Sequence, residues 1–129
     1  MTEQQETITR WPNGRVHRIE RKVDGEEHGR QQGWHENGQR QYDKNYEHGE
    51  EHGRQQAWFR NGQAGYDTNY DHGRYHGRQQ GWYSDGQLRF DSTYERGEQH
   101  GSVRVWDAKG NLVQDVRYEH GVIQGQKAQ

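Results

Sequence analysis

Nine histidines stand among the 129 residues of this chain, and two of them frame the segment HGEEHG, His48 to Gly53. A hairpin tip holding His48, Glu50, Glu51 and His52 has the imidazoles and carboxylates that chelate a divalent cation. The same imidazoles would give sensitivity to pH near ~6 to 7. A second set with the charge for acid–base work is Asp43, Asp67, Asp91 and Asp115, with Arg30, Arg54 and Arg78 as a third. Each of these sets, however, is one position written repeatedly. A catalytic site needs a few groups in unequal, partly desolvated surroundings, whereas a residue present in every unit serves the unit. Equivalent histidines two strands apart would lie ~9.5 Å from one another, too far to share an ion. We therefore expect no catalytic residue, no metal and no cofactor, and assign the His-Gly pairs to turns.

The composition narrows the elements that could hold these residues. Only 25% of the chain is hydrophobic and the mean hydropathy is −1.72, too little apolar material for an ordinary globular core. Yet 12% is aromatic and the formal net charge is −2, with both signs interspersed, which is not the composition of a disordered chain. Order of an economical kind follows. There is no cysteine, so neither a disulfide framework nor a thiolate site is expected. The balanced charge argues against nucleic acid and against anionic lipid. The N-terminal stretch MTEQQETITRW has no apolar core of a leader peptide, and no window approaches the ~18 apolar residues of a membrane span; a cytoplasmic location is expected.

The economy comes from repetition. HGRQQGW at His28 to Trp34 returns as HGRQQAW at His52 to Trp58, as HGRQQGW at His76 to Trp82, and as HGSVRVW at His100 to Trp106, a period of 24 residues. The units His28 to Glu51 and His52 to Tyr75 agree at 15 of 24 positions. Such a period marks an array of supersecondary units, none able to bury its own face alone. We divide the chain into a divergent capping repeat at 1–27, four good repeats at 28–123 and a tail at 124–129. Each unit carries two turn signals, Asn37-Gly38 and His48-Gly49 in the first, with roughly eight non-helical residues between them. The expected fold is all-β: an elongated single-layer antiparallel sheet of about five tandem β-hairpins.

Parity chooses the loop. A three-residue loop, Glu36-Asn37-Gly38 with Gly38 left-handed in a G1 bulge, puts Trp34, Arg40, Tyr42, Lys44 and Tyr46 on one face and Gln31, Gln41, Asp43 and Asn45 on the other; a two-residue loop mixes aromatic with polar. On this reading Trp58 joins Tyr66 and Tyr70, Trp82 joins Phe90 and Tyr94, and Arg30, Arg54 and Arg78 share the aromatic parity. These twelve residues, Arg30, Trp34, Tyr42, Tyr46, Arg54, Trp58, Tyr66, Tyr70, Arg78, Trp82, Phe90 and Tyr94, form the candidate partner-binding surface, rings and guanidinium groups being enriched in protein-recognition hot spots. The same arginines could instead stack on their own Trp or reach an Asp as internal glue. Phe59 and Tyr83 fall on the otherwise polar face, Tyr75 in a turn where its equivalents are Glu51 and Gln99, and Trp11 in the cap; features outside the repetition are where specificity could reside.

The unit G-x-x-x-x-W-(H/F/Y)-x-(N/D)-G-Q, followed by Y-D-x-N-Y-x-H-G, resembles the MORN repeat, and more closely the bacterial MORN variant of YwqK-type antitoxins. The resemblance covers about residues 28–123 and, more weakly, 4–27. It departs at Lys109-Gly110, and at Ser102-Val103-Arg104-Val105 where the Gln55-type polar residues are lost. It implies hairpins curved into a groove, and a noncatalytic antitoxin or immunity protein that occludes a toxin or effector protein. A homodimer through a sheet edge or end is compatible with an open array. The alternatives are a structural or membrane-tethering scaffold, as implied by similar eukaryotic repeats, and an engineered consensus array, suggested by the near-identity of three units.

Overall fold

A computed structural model describes residues 2–126; of the expected tail, 127–129 lie outside the described residues. The described chain holds fourteen strands and no helix: β1 (Gln4–Arg10), β2 (Val16–Val23), β3 (Glu26–Glu27), β4 (Gly29–Trp34), β5 (Arg40–Glu47), β6 (Glu50–Glu51), β7 (Gly53–Trp58), β8 (Ala64–Asp71), β9 (Arg74–Tyr75), β10 (Gly77–Trp82), β11 (Leu88–Glu95), β12 (Glu98–Trp106), β13 (Leu112–Glu119) and β14 (Val122–Gln126). All belong to one open antiparallel sheet in the order β1-β2-β4-β5-β7-β8-β10-β11-β12-β13-β14, with β3, β6 and β9 as short additions beside β2, β5 and β8. Strand β14 pairs Val122 with Glu119 and Gln126 with Val116, so the sheet runs across the boundary we drew at residue 124.

Two turn chemistries fold each unit. At the long turn His35 N donates to Gln39 O and Gly38 N to His35 O, with Gly38 at φ 90°; this is the expected three-residue loop with its left-handed glycine. Asn37 braces it, its Oδ1 accepting from Gln39 N. At the short turn Glu47 pairs with Glu50 across His48-Gly49, both at positive φ, 48° and 80°, the two-residue geometry whose twist matches that of the strands.

The facing of the strands differs from the parity argument. Trp34 pairs with Arg40, but the next pair is Gly33 with Tyr42, leaving Gln41 as an extra residue. This bulge reverses the alternation. Tyr42, Lys44 and Tyr46 therefore share their face with Gly33, Gln31 and Gly29, while Arg30 and Gln32 pair with Asn45 and Asp43 on the other. Gln31 thus lies on the tyrosine face and Arg30 on the polar one, each opposite to expectation. The same shift recurs at Ala57/Trp58, Gly81/Trp82 and Val105/Trp106.

A second irregularity creates the core. Strand β5 pairs with β7 only at Tyr42–Ala57 and Asp43–Gln56, and with β6 only at Tyr46–Glu51 and Glu47–Glu50. Between them two residues of β5 face four of the incoming chain, and Gly53, at φ 89°, makes the bend. The carboxamide of Gln55 fills the gap: its Nε2 donates to Asn45 O at 2.6 Å and its Oε1 accepts from Asn45 N at 3.1 Å. Gln31 does the same to Arg21 and Gln79 to Asn69. Gln31, Gln55 and Gln79 are 4%, 0% and 1% exposed. Where β12 runs unbroken, Val103 replaces them and faces Val116, both buried. The spine of the sheet is a column of satisfied amides that gives way to valine at one end.

Candidate functional site

The tyrosine face is written alike in each unit but built differently in the second. In the first, the Tyr42 ring lies so close over Gly33 that a Cβ there would stand 2.2 Å from it, and Phe90 covers Gly81 in the same way. Ala57 occupies that position in the second unit, and its methyl denies Tyr66 the same resting place. Tyr66 instead lies near Lys44 of the preceding unit and favours its charged form. Gly65 stands where the other good units have Gln41, Arg89 and Val113. The outcome is a cleft of about 400 Å³ walled by Trp58, Phe59, Tyr66, Tyr70, Tyr75, Trp82 and Phe90, with Ala57, Gly65, Thr68 and Gly81 among its other lining residues and with Glu51 and Arg89 as its charged groups.

Tyr75 belongs to this cleft rather than to a turn. It lies in β9, its ring between those of Tyr70 and Tyr94 at centroid distances of 4.9 and 5.0 Å. Burial and the Tyr75 hydroxyl push the Tyr70 phenol well above its ordinary range, so the Tyr70 hydroxyl remains a neutral hydrogen-bonding group. Burial likewise raises Tyr42 and Tyr46. Burial opposes the charge on Lys44, but Tyr66, Tyr46 and Glu51 around it outweigh that and hold its pKa above the ordinary value.

Of the twelve expected surface residues, Trp58, Tyr66, Tyr70, Trp82 and Phe90 meet in the cleft, and Tyr94 lines an adjoining hollow that shares Tyr75, Arg89 and Phe90 with it. Trp34 lies apart, in a hollow with Arg15, Val16 and Gly38. Arg30, Arg54 and Arg78 each form a two-point pair, Nε to Oδ1 and Nη2 to Oδ2, with Asp43, Asp67 and Asp91 at 2.6–3.1 Å. That is the internal-glue alternative, on the polar face. The residues missed were Glu51, Ala57, Gly65 and Arg89, and Phe59, expected on the polar face, borders the cleft as well. Ala57 and Phe59 depart from the repeat, whereas Glu51, Gly65 and Arg89 stand at positions that vary from unit to unit.

The turn that carries Phe59 also ties one unit to the next. Trp11 Nε1 donates to Trp34 O, His35 Nε2 meets Trp58 O, and Tyr83 OH donates to Trp106 O, all at 2.8–3.0 Å. Phe59 holds the same position without a polar tip, and turns its ring to the cleft instead.

The histidines pair across turns. His52 and His72 lie with ring centroids 4.5 Å apart, and His100 and His120 at 4.7 Å; with Glu47 and Glu95 they form two groups close enough to surround an ion. The hydrogen bonding opposes that use. His52 Nδ1 accepts from His72 N and His100 Nδ1 from His120 N, both at 3.1 Å. An imidazole accepting at Nδ1 carries its proton on Nε2 when neutral, and in both groups that nitrogen faces the glutamate, at 3.4 and 3.6 Å. His28 and His76 accept from His48 N and Arg96 N in the same manner. The His-Gly signature is turn chemistry.

Among the described residues no helix is long and apolar enough to cross a membrane. No curated protein matches the chain. A family model described as MORN repeat variant matches residues 27–48 and 75–96. The matched segments start two repeat lengths apart, and the hairpin between them keeps the same turns and the same bulge; in these two segments the chain is similar to the MORN repeat variant.

Proposed function

We propose that this protein binds another protein on the tyrosine face of its sheet, and that the binding is neutralisation: a cytoplasmic antitoxin or immunity protein that occludes a bacterial toxin or effector without chemistry of its own. The observation that carries the binding reading is the cleft at Trp58, Tyr66, Tyr70, Trp82 and Phe90, where a departure from repeat packing leaves rings uncovered near the middle of a single layer. Concave, mostly apolar sites with a few polar groups are where partners anchor. The noncatalytic reading is supported by where the chemistry-bearing groups go: Arg30, Arg54 and Arg78 are held by aspartates and His28, His52, His76 and His100 by turn amides. The antitoxin reading rests on the resemblance to YwqK-type proteins. Tyr42, Tyr46 and Trp34 extend the surface toward the first unit, and Tyr94 toward the last.

The test is coexpression with the product of the gene immediately upstream. Copurification of the two, relief of growth arrest caused by that product, and loss of both effects in Trp58→Ala with the far-ultraviolet dichroism retained are the expected results. Normal growth of cells making the upstream product alone, or failure of the pair to associate, would remove the neutralisation reading.

A further inference from the structure

Arg40 lays its guanidinium over the Trp58 ring at 4.2 Å from the centroid. It comes from the strand that starts the preceding unit's return, eighteen residues before the tryptophan. The residue that stands in the same relation to Trp82 is Ala64, followed by Gly65 where Arg40 is followed by Gln41. Trp82 lines the cleft, and so does Glu51, which forms no ion pair among the described residues.

We infer that the cleft takes the guanidinium of an arginine from the protein partner, stacked on Trp82 as Arg40 stacks on Trp58 and countered by Glu51. The inference rests on the protein-binding reading above and names the chemistry of the partner. Three features converge on a planar cation. The molecule already shows that this tryptophan position accepts a guanidinium. Tyrosine, phenylalanine and tryptophan faces surround the site, and ring faces attract cations, most strongly where water is excluded. A half-buried carboxylate that forms no ion pair among the described residues, Lys44 acting on it only at longer range, supplies the counter-charge. A guanidinium suits the site better than an ammonium because it is flat, more weakly hydrated, and presents donors to a carboxylate while its face rests on a ring. The cleft volume, about 400 Å³, holds one long side chain rather than a helix. Arg89 also borders the cleft and works against a second cation, although its guanidinium lies toward Tyr83, 5.9 Å from that ring.

The experiment follows the indole Nε1–H signals of the full chain by 1H–15N NMR during titration with N-acetyl-arginine-N-methylamide, with N-acetyl-norleucine-N-methylamide as the apolar control. Saturable shifts at Trp82 with the arginine probe, absent with norleucine and absent at Trp106, are expected. Glu51→Gln should weaken binding about 5- to 10-fold, and Arg89→Gln should tighten it. Ala64→Arg, which restores the first-unit pattern and caps Trp82 from within, should abolish the shift while keeping the thermal midpoint. No shift, an equal shift with norleucine, or an undiminished shift in Ala64→Arg would overturn the inference. Should a partner protein bind Ala64→Arg as tightly as the parent chain, the arginine cleft falls while protein binding stands.

Discussion

The carboxamide of Gln55 stands in for a strand, bonding both the N–H and the C=O of Asn45. Asn45 returns the arrangement, its Nδ2 donating to Arg54 O at 2.8 Å. A sheet interrupted every 24 residues by a glycine bend would leave backbone groups unpaired inside it, and unpaired buried amides are costly. The glutamine converts each interruption into a joint. A chain so poor in apolar residues can keep a core this way, because the buried side chains satisfy backbone instead of excluding water alone.

Gln55→Leu tests this directly. It keeps the volume and apolar stem but orphans the N–H of Asn45, whose C=O retains its bond from His52 N at 3.0 Å, for a loss of about 1–3 kcal/mol. Urea unfolding followed by tryptophan fluorescence reads the change, and a loss under about 1 kcal/mol would mean that water repairs the joint.

Much of this fold was legible in the sequence. The period, the two turns of each unit, and the left-handed glycines at Gly38 and Gly49 follow from Asn-Gly and His-Gly signals, because turns are local. The facing of Gln31 and Arg30 was not, since it depends on the extra residue at Gln41, which carries no turn signal. A glutamine in an alternating strand reads as solvent-facing by hydrophobicity. Its burial comes from the missing ladder bonds opposite it, a property of two strands and not of one. The cleft was half legible: its rings were named, but Ala57 and Gly65 are small, and their effect lies in what they let Tyr66 do.

Ala57→Gly should close the cleft. Without the methyl, Tyr66 can settle over position 57 as Tyr42 does over Gly33 and release Lys44. An upfield ring-current shift of the residue 57 amide and Hα signals checks this. An unmoved Tyr66 would assign the cleft to Gly65 alone.

Arg96 sits at φ 51°, a left-handed conformation that its equivalents His48, His72 and His120 also adopt. Histidine and asparagine tolerate that region better than arginine does, and a strained residue there costs on the order of 1–3 kcal/mol. Arg96→Asn is expected to recover up to about 1 kcal/mol, seen as a higher thermal midpoint. A lower midpoint would show that the arginine side chain contributes more than its backbone costs.

Asp107 Oδ1 accepts from Asn111 N and Lys109 N, both at 2.9 Å. These bonds, that from Asn111 foremost, hold its pKa below the ordinary 3.8. A carboxylate depressed on folding contributes fully above its unfolded value and loses that contribution as pH falls through the folded one. The stability difference between the parent chain and Asp107→Ala is therefore constant at neutral pH and shrinks as pH drops below 3.8. Denaturation series across that range decide it; a difference that stays flat would show that the bonds do not distinguish the charged form.

The long turns are stitched to one another by asparagine. Asn13, Asn37 and Asn61 donate from Nδ2 to Glu36 O, Arg60 O and Ser84 O, at 3.0, 2.9 and 2.8 Å. Each keeps its Oδ1 on the amide two residues ahead. Asp85 retains only the second of these functions, accepting from Gln87 N, so the stitching stops where the units begin to diverge. Asn61→Asp reproduces that break within the good repeats. It preserves the turn, removes the donor, and sets a carboxylate against the Ser84 carbonyl, for an expected loss of about 1–2 kcal/mol. Because the lost bond joins the second and third units, hydrogen exchange should accelerate at Ser84 to Gln87 more than at Asn37 to Gln39. Uniform acceleration would mean that the array opens as one body and that the asparagine bonds do not set the coupling between neighbours.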